Sequence, residues 1–516
     1  MPSVLSTIRG YITPVSELVQ SSLPQELSVY TRTALIFSST LLLGYLLLGG
    51  DGKKRPPGPI AFPVIGNMPQ VAGIRNIYRF MMKLRQRYGD VYRLKVGSMT
   101  TVVVFGPNLV RDTLVNKGTC VINRPNWVYI LKKIFNGKGV FWSNGDQWRS
   151  TRKFAVTTLR DLGVGKRSLE ERIFEECCIL TETWEALEGR SFNVKPYLAN
   201  AVSNIMCNIV FGERFEYTDK DFNKLLGYLE FLFRNAGIQV PENFFPWLNY
   251  IRGDAPAQKM IANDKKLQEF VLKKVSEHRV DFDPDNPRDF IDFFLKTELE
   301  GSGKIAVEDV FRTSVDLFLA GSEATSVSLQ WTLLYLSSFP DIQKRCQDAI
   351  QKVTGGGRPV TLADKDTLTY IVATLNEVLR LASVAPITPP HAVTKPCEIG
   401  GYHVDADTIV IFHIYSSHMD PEHWTQPEVF RPERWIDTEG RIIKNPAFMP
   451  FGGGPRTCLG EPLVMMELFL FATNLLQRFE FRLEPGAEPP CLEGHQDGIT
   501  NLPADFKLQA VTRSTA

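Results

Sequence analysis

FMPFGGGPRTCLGEPLVMMELFLF, residues 448–471, decides how this chain is read. Three consecutive glycines, Gly452, Gly453 and Gly454, let a backbone come close to something flat and bulky. Cys458 follows, and Gly460 lies just ahead of an apolar run, 463–479, that reads as a helix. A thiolate at that point sits near the positive end of the helix dipole and near amides without helical partners, and both favour the charged sulfur. Arg456 adds positive charge suited to an anionic group. A free cysteine is by itself more often a buried packing residue. The surrounding pattern, Phe451-x-x-Gly454-x-Arg456-x-Cys458-x-Gly460, argues against that bland reading.

Outward from this loop the chain is ordinary for a globular protein: 516 residues, 44% hydrophobic, 22% charged, formal net charge +1. The balanced charge gives no signal for nucleic acid. Eight cysteines in so long a chain make no disulfide framework, and no Cys-x-x-Cys pair supplies a zinc spacing. Residues 90–105, DVYRLKVGSMTTVVVF, alternate and turn at Gly97-Ser98, so a hairpin is expected there. From about 108 to 352 the period is helical, broken by Gly and Pro as at Gly237 and Pro241. Strand character returns over 402–412. The expectation is one large core, mainly α with a smaller β region and no internal repeat.

The N-terminus carries a second signal. TRTALIFSSTLLLGYLLLGG, residues 31–50, has no charge after Arg32, and Lys53, Lys54 and Arg55 follow it. A bilayer core needs roughly twenty apolar residues in a helix, and a basic cluster after the span marks the cytosolic side. The run begins too far in for a signal peptide and lacks a small-residue cleavage site. A single transmembrane helix over 33–50 is therefore expected, preceded by an interfacial or lumenal segment (1–32). A basic, Pro-rich linker (51–67) and the main folded domain (68–516) follow. Pro56, Pro57, Pro59 and Pro63 stiffen that linker.

With these residues in place the chain resembles the cytochrome P-450 superfamily of haem-thiolate monooxygenases. Phe451, Gly454, Arg456, Cys458 and Gly460 match its cysteine-loop motif, and Leu463 with Met466-Glu467-Leu468 resembles animal microsomal members. The resemblance implies haem b, with Cys458 as the ligand of the iron and the thiolate pushing electron density toward O–O cleavage. It implies that Trp148, Arg152, His391, Phe451, Arg456 and Gly460 bind the cofactor, Trp148 and Arg152 matching a Trp-x-x-x-Arg pattern one turn apart. Glu377 and Arg380 match Glu-x-x-Arg, with Arg434 completing a structural ion network behind the haem. It further implies an endoplasmic reticulum membrane location with the catalytic domain in the cytosol. Electrons from NADPH would arrive through NADPH–cytochrome reductase, with cytochrome b5 as an accessory donor. Lys153 and other basic residues would dock these partners. Membrane lipid and an apolar small-molecule substrate (steroid, fatty acid or foreign compound) are expected, and nucleic acid is not. By family position the pocket takes its walls from 127–141, 225–245, 317–321 and 384–389, which carry Tyr129, Phe135, Phe231, Phe233, Phe244 and Phe245.

One position departs from the family. The helical run 307–338, ended by Pro340, holds AGSEATSVS at 320–328. Gly321 and the small hydroxyl residues predict a bend or bulge that opens space for a ligand. Ala320, Gly321 and Glu323 match the family pattern, but the alcohol position is Ala324, and Thr325 lies roughly 100° further round. Glu323 and Thr325 are the candidate oxygen-side residues. Three outcomes are open. A water or a substrate hydroxyl fills the gap, Thr325 reaches in through a bulge, or the enzyme is a reductase-independent isomerase or dehydratase. A non-catalytic haem carrier or sensor is the rival of another class.

Overall fold

The alternating run at 90–105 is the expected hairpin. β1 (Val91–Val96) and β2 (Met99–Val104) pair antiparallel about Gly97 and Ser98. The computed structural model describes Thr31, Thr33, Phe37 and residues 52–513, apart from 72, 75, 165, 236–242, 246–247, 249–255 and 302–306. β3 (His391–Ala392) and β6 (Ile409–Phe412) complete a four-stranded sheet in the order β1-β2-β6-β3. Between them β4 (Cys397–Ile399) and β5 (Tyr402–Val404) form a small separate hairpin. β2 and β6 run parallel, Val103 opposite Ile411. Parallel neighbours need a crossover connection, and here the crossover is most of the helical body. Near the end, β7 (Phe479–Leu483) pairs with β10 (Leu508–Thr512), and β8 (His495–Asp497) with β9 (Thr500–Leu502).

The helices that position the site begin with α1 (Ile77–Tyr88), α2 (Tyr129–Phe135), α3 (Gly139–Trp142) and α4 (Gly145–Asp161). Then come α5 (Arg167–Glu185), α6 (Lys195–Phe211), α7 (Lys220–Asn235), α8 (Pro256–Asp281) and α9 (Phe290–Leu299). Last are α10 (Val307–Ser338), α11 (Pro340–Thr354), α12 (Thr369–Ala382) and α13 (Glu461–Arg478). α10 is the central strut. It is buried over most of its circumference and packs against α3, α6, α8, α12 and α13. A Cβ at Gly321 would lie 2.5 Å from Met206 Sδ, so the glycine lets α6 approach closely.

The bulge expected in α10 is absent: residues 307–338 are α-helical throughout. Ser328 Oγ does donate to the Ala324 carbonyl one turn back (2.8 Å), and Thr332 Oγ1 to Ser328 (2.8 Å). These bonds are absorbed without a change of register, because the packed neighbours hold the helix.

Both chain ends enter one core. The Tyr78 amide donates to Gln496 Oε1 (3.3 Å), and Phe192 exchanges backbone bonds with Leu508. The linker is stitched to the sheet rather than free: the Pro57 carbonyl accepts from Arg93 (2.7 Å), Lys54 from His403 (2.8 Å), and Arg55 pairs with Asp405 (2.9 Å). Among the described residues no helix is long and apolar enough to cross a membrane. The span expected at 33–50 lies outside them, save Thr33 and Phe37.

Candidate active site

The cysteine loop is closed by its own backbone. The Cys458 amide donates to the Phe451 carbonyl (3.0 Å), as does Thr457 Oγ1 (3.3 Å). Gly454 has φ +69°, and a Cβ there would lie 1.8 Å from the Leu114 carbonyl oxygen, so only glycine fits. The chain then enters α13, and the amides of Gly460 and Glu461 donate toward the Cys458 sulfur. Desolvation is the largest influence on this thiol and raises its pKa; the two amides and the nearby Arg152 oppose it. Cys458 is nevertheless exposed by area. A group both exposed and desolvated faces a hollow enclosed by protein, not bulk solvent.

Around that hollow stand cations without acids. Arg456 donates through Nε to the Ile122 carbonyl (2.8 Å) and through Nη2 to Ser143 (2.6 Å), and lies over the Trp148 ring at 4.1 Å. Arg124 donates to the Phe141 (3.3 Å), Pro389 (3.2 Å) and Pro390 (3.0 Å) carbonyls. Arg152 Nη2 bonds the Thr457 carbonyl (2.6 Å), beside the sulfur. Among the described residues no acidic side chain pairs with any of the three. Burial, then repulsion between the guanidinium groups, pushes Arg124 down to about 9 and Arg456 to about 8. His391 Nδ1–H donates to the Val121 carbonyl (2.7 Å), leaving Nε2 bare. Burial and then Arg124 hold the ring neutral, well below its usual range. The Trp148 Nε1–H is buried with no partner. A buried donor without an acceptor and buried cations without an anion are both expensive. An anion reverses that penalty, and it would also favour the protonated imidazole. One sulfur donor plus this set of cations fits a haem with its two propionates.

On the oxygen side, Ala320 is exposed and Glu323 and Ala324 are half-buried in the middle of an otherwise buried helix. This face of α10 therefore meets open interior space. Thr325 points the other way. Its Oγ1 is fully buried near Glu467 of α13, and neither Thr325 Oγ1 nor the Glu467 carboxyl makes a hydrogen bond of good geometry. Burial pushes Glu467 up to about 8, and the neighbouring Thr325 hydroxyl opposes that rise. The N-terminal half of α10 fixes the roof. Arg312 pairs with buried Asp264 (2.5 Å) and donates to the Ile134 carbonyl (2.6 Å), and Asp316 accepts from the Phe141 amide (3.1 Å). Of the aromatic residues named for the pocket, Phe135 is spent in the core against Trp142 (5.2 Å between centroids). Asn243 Oδ1 accepts from the Ile130 amide (3.0 Å), which brings the 243–245 loop onto α2. The Phe233 side chain lies outside the described residues.

The ion network forms as expected. Arg380 grips Glu377 with both Nε (2.8 Å) and Nη2 (2.7 Å), and Arg434 Nε adds a third bond (2.9 Å). Trp435 Nε1 (2.8 Å) and the Arg431 amide (3.1 Å) join too, which the motif did not reveal. Arg124 was missed, and Glu467 was named only within its motif, without its place beside Thr325. The available signals were an arginine directly before Pro125 and a lone acid inside an otherwise apolar run.

A family model described as Cytochrome P450 matches residues 56–510. Cytochrome P450 2J2 of Homo sapiens is 37% identical over 494 residues, covering 93% of this chain and 97% of the relative. Cytochrome P450 2B4 of Oryctolagus cuniculus is 35% identical over 493 residues (92% and 100%), and cytochrome P450 2H1 of Gallus gallus 34% over 492 (94% and 99%). A sulfur-bearing loop at a helix start, a cradle of unpaired cations and a match along nearly the whole chain agree, and the chain belongs to the cytochrome P450 family of haem b-dependent monooxygenases.

Proposed function

We propose that this monooxygenase inserts one atom of O2 into an apolar small molecule of the steroid, fatty-acid or foreign-compound class. Its electrons come from NADPH through NADPH–cytochrome reductase, with cytochrome b5 as an accessory donor. The observation that carries this reading is the pairing of an enclosed Cys458 sulfur with the open, apolar middle of α10. Haem b, when bound, supplies the oxygen chemistry. Cys458 holds the iron, and the amides of Gly460 and Glu461 with Arg152 spread the sulfur's charge. Arg124, Arg456, Trp148 and His391 hold the propionates, and Phe451 and Gly460 shape the loop. Glu323 is the group on the oxygen side that can carry a proton. Thr325, turned toward Glu467, is not placed to replace the hydroxyl that Ala324 lacks, so a water or a substrate hydroxyl serves there.

The catalytic domain sits in the cytosol on the endoplasmic reticulum membrane, held by a single span at 33–50. Ile60 and Val64, each 82% exposed, and half-exposed Phe62 lie within the linker and suit contact with lipid. Exposed Lys153 on α4 suits an acidic redox partner.

The test is reconstitution of the full-length, haem-loaded chain in phospholipid vesicles with NADPH and purified reductase, against panels of the three substrate classes. The account predicts a product that carries oxygen from labelled O2 and is lost without reductase. Ala324 favours one rival, a reductase-independent isomerase or dehydratase. Equal product from a hydroperoxide or oxime substrate without NADPH would establish it instead.

A further inference from the structure

Two thiols outside the haem site lie side by side. Cys120 ends the short helical turn Gly118–Cys120, and Cys397 opens β4. Hydrogen bonds tie their segments together: the Thr394 amide to the Cys120 carbonyl (2.8 Å), Thr394 Oγ1 to the Thr119 (3.1 Å) and Cys120 (3.3 Å) carbonyls, and Lys117 Nζ to the Glu398 carbonyl (3.4 Å). The tied segments bring the two thiols close enough for each to bear on the other, both pack against one apolar cluster, and both residues are partly exposed. No other cysteines are so placed. Cys207 and Cys346 are buried, Cys491 is exposed and apart, and consecutive Cys177 and Cys178 on α5 diverge by roughly 100° around the helix.

We propose that Cys120 and Cys397 form a reversible redox site that closes to an intramolecular disulfide when a hydroperoxide is present. The Cys120 thiolate attacks the peroxide oxygen, giving a sulfenic acid and one water (or an alcohol). The Cys397 sulfur then displaces the sulfenic hydroxyl, which leaves as water with the Cys397 proton. In total two thiols lose two electrons and two protons, and the peroxide takes them up. Burial, followed by the neighbouring Cys120, pushes Cys397 up to about 11, which disfavours it as the thiolate that meets the peroxide first. The hydrogen-bonded segments hold the sulfurs together before reaction, so closure loses little further chain freedom. The bond would pin the turn at Gly118, which packs against Pro455 of the cysteine loop, to the β4–β5 hairpin.

The experiment uses the haem-loaded full chain, hydrogen peroxide in stoichiometric steps, maleimide labelling and peptide mass spectrometry, with Cys491 as the internal reference. Labelling of Cys120 and Cys397 should fall together, before that of Cys491. A Cys120–Cys397 linked peptide should appear, and dithiothreitol should remove it. Cys397→Ser should leave a sulfenic acid on Cys120 that dimedone traps, whereas Cys120→Ser should leave Cys397 reduced. The proposal is overturned if both cysteines label at the Cys491 rate with no linked peptide. It is also overturned if they oxidise independently to sulfinic acids, or if the link joins separate molecules.

Discussion

Glu377 has no exposed surface, nor has Arg380, and its carboxylate accepts from Arg380 twice, from Arg434, from Trp435 and from the Arg431 amide. Glu377→Ala leaves the Arg380 guanidinium with no acid, bonded to the His418 (2.8 Å) and Pro427 (2.6 Å) carbonyls and to Met419 Sδ (3.9 Å). An uncompensated buried charge of this kind costs about 3–5 kcal/mol. Glu377→Gln keeps the shape and one acceptor but presents an amine to donors, for a loss of about 1.5–3 kcal/mol. Unfolding entropy of about 2.1 cal/mol/K per residue, over about 450 residues between 56 and 510, converts these to roughly 3–5 °C and 1.5–3 °C in melting temperature. The assay is thermal melting of the haem-loaded protein followed by tryptophan fluorescence. Exchanging both partners for apolar residues (Glu377→Leu with Arg380→Met) removes the stranded charge, so the double variant should melt above Glu377→Ala. A Glu377→Ala protein that melts within about 1 °C of the parent would refute the reasoning. So would a double variant that melts below it.

Other expectations follow from the same geometry. Arg456→Gln removes a charge-assisted donor set and should speed haem transfer to an acceptor globin by roughly ten- to a hundredfold, on about 1.5–3 kcal/mol; unchanged transfer would remove Arg456 from the cradle. Glu467 is raised from 4.5 to about 8, so between these values the folded chain holds a proton that the unfolded chain has lost, and stability falls as pH rises. Glu467→Gln cancels that slope, up to about 1.4 kcal/mol per pH unit. Denaturation midpoints of variant and parent should therefore diverge from pH 5 to 8, and parallel curves would count against a neutral Glu467. Ala324→Thr restores a hydroxyl to the open face of α10 and should raise the product formed per NADPH consumed. No change in that ratio would show that the missing hydroxyl is already fully replaced.

Period and punctuation made several elements legible. Val-x-Arg-x-Lys alternation with Gly97-Ser98 gave the hairpin, and the apolar period with Pro340 gave both ends of α10. The cysteine loop was readable because glycine, charge and helix start all lie within a few residues of Cys458. What could not be read depends on long-range pairing. The parallel match of Val103 with Ile411 joins strands some 300 residues apart, and nothing local specifies it. Arg124 gains its role only when Phe141, Pro389 and Pro390 arrive around it. The bulge expected in α10 failed because tertiary packing, including Met206 against Gly321, outweighed the local tendency of Ser and Thr to bend a helix. The direction of Thr325 likewise follows from Glu467, more than a hundred residues later in the chain.

The sulfur of Cys458 as the iron's ligand is the claim on which the rest depends. Cys458→Ser, purified with haem, reduced and exposed to carbon monoxide, should lose the red-shifted Soret band that thiolate ligation produces. An unaltered band in the variant would contradict the account.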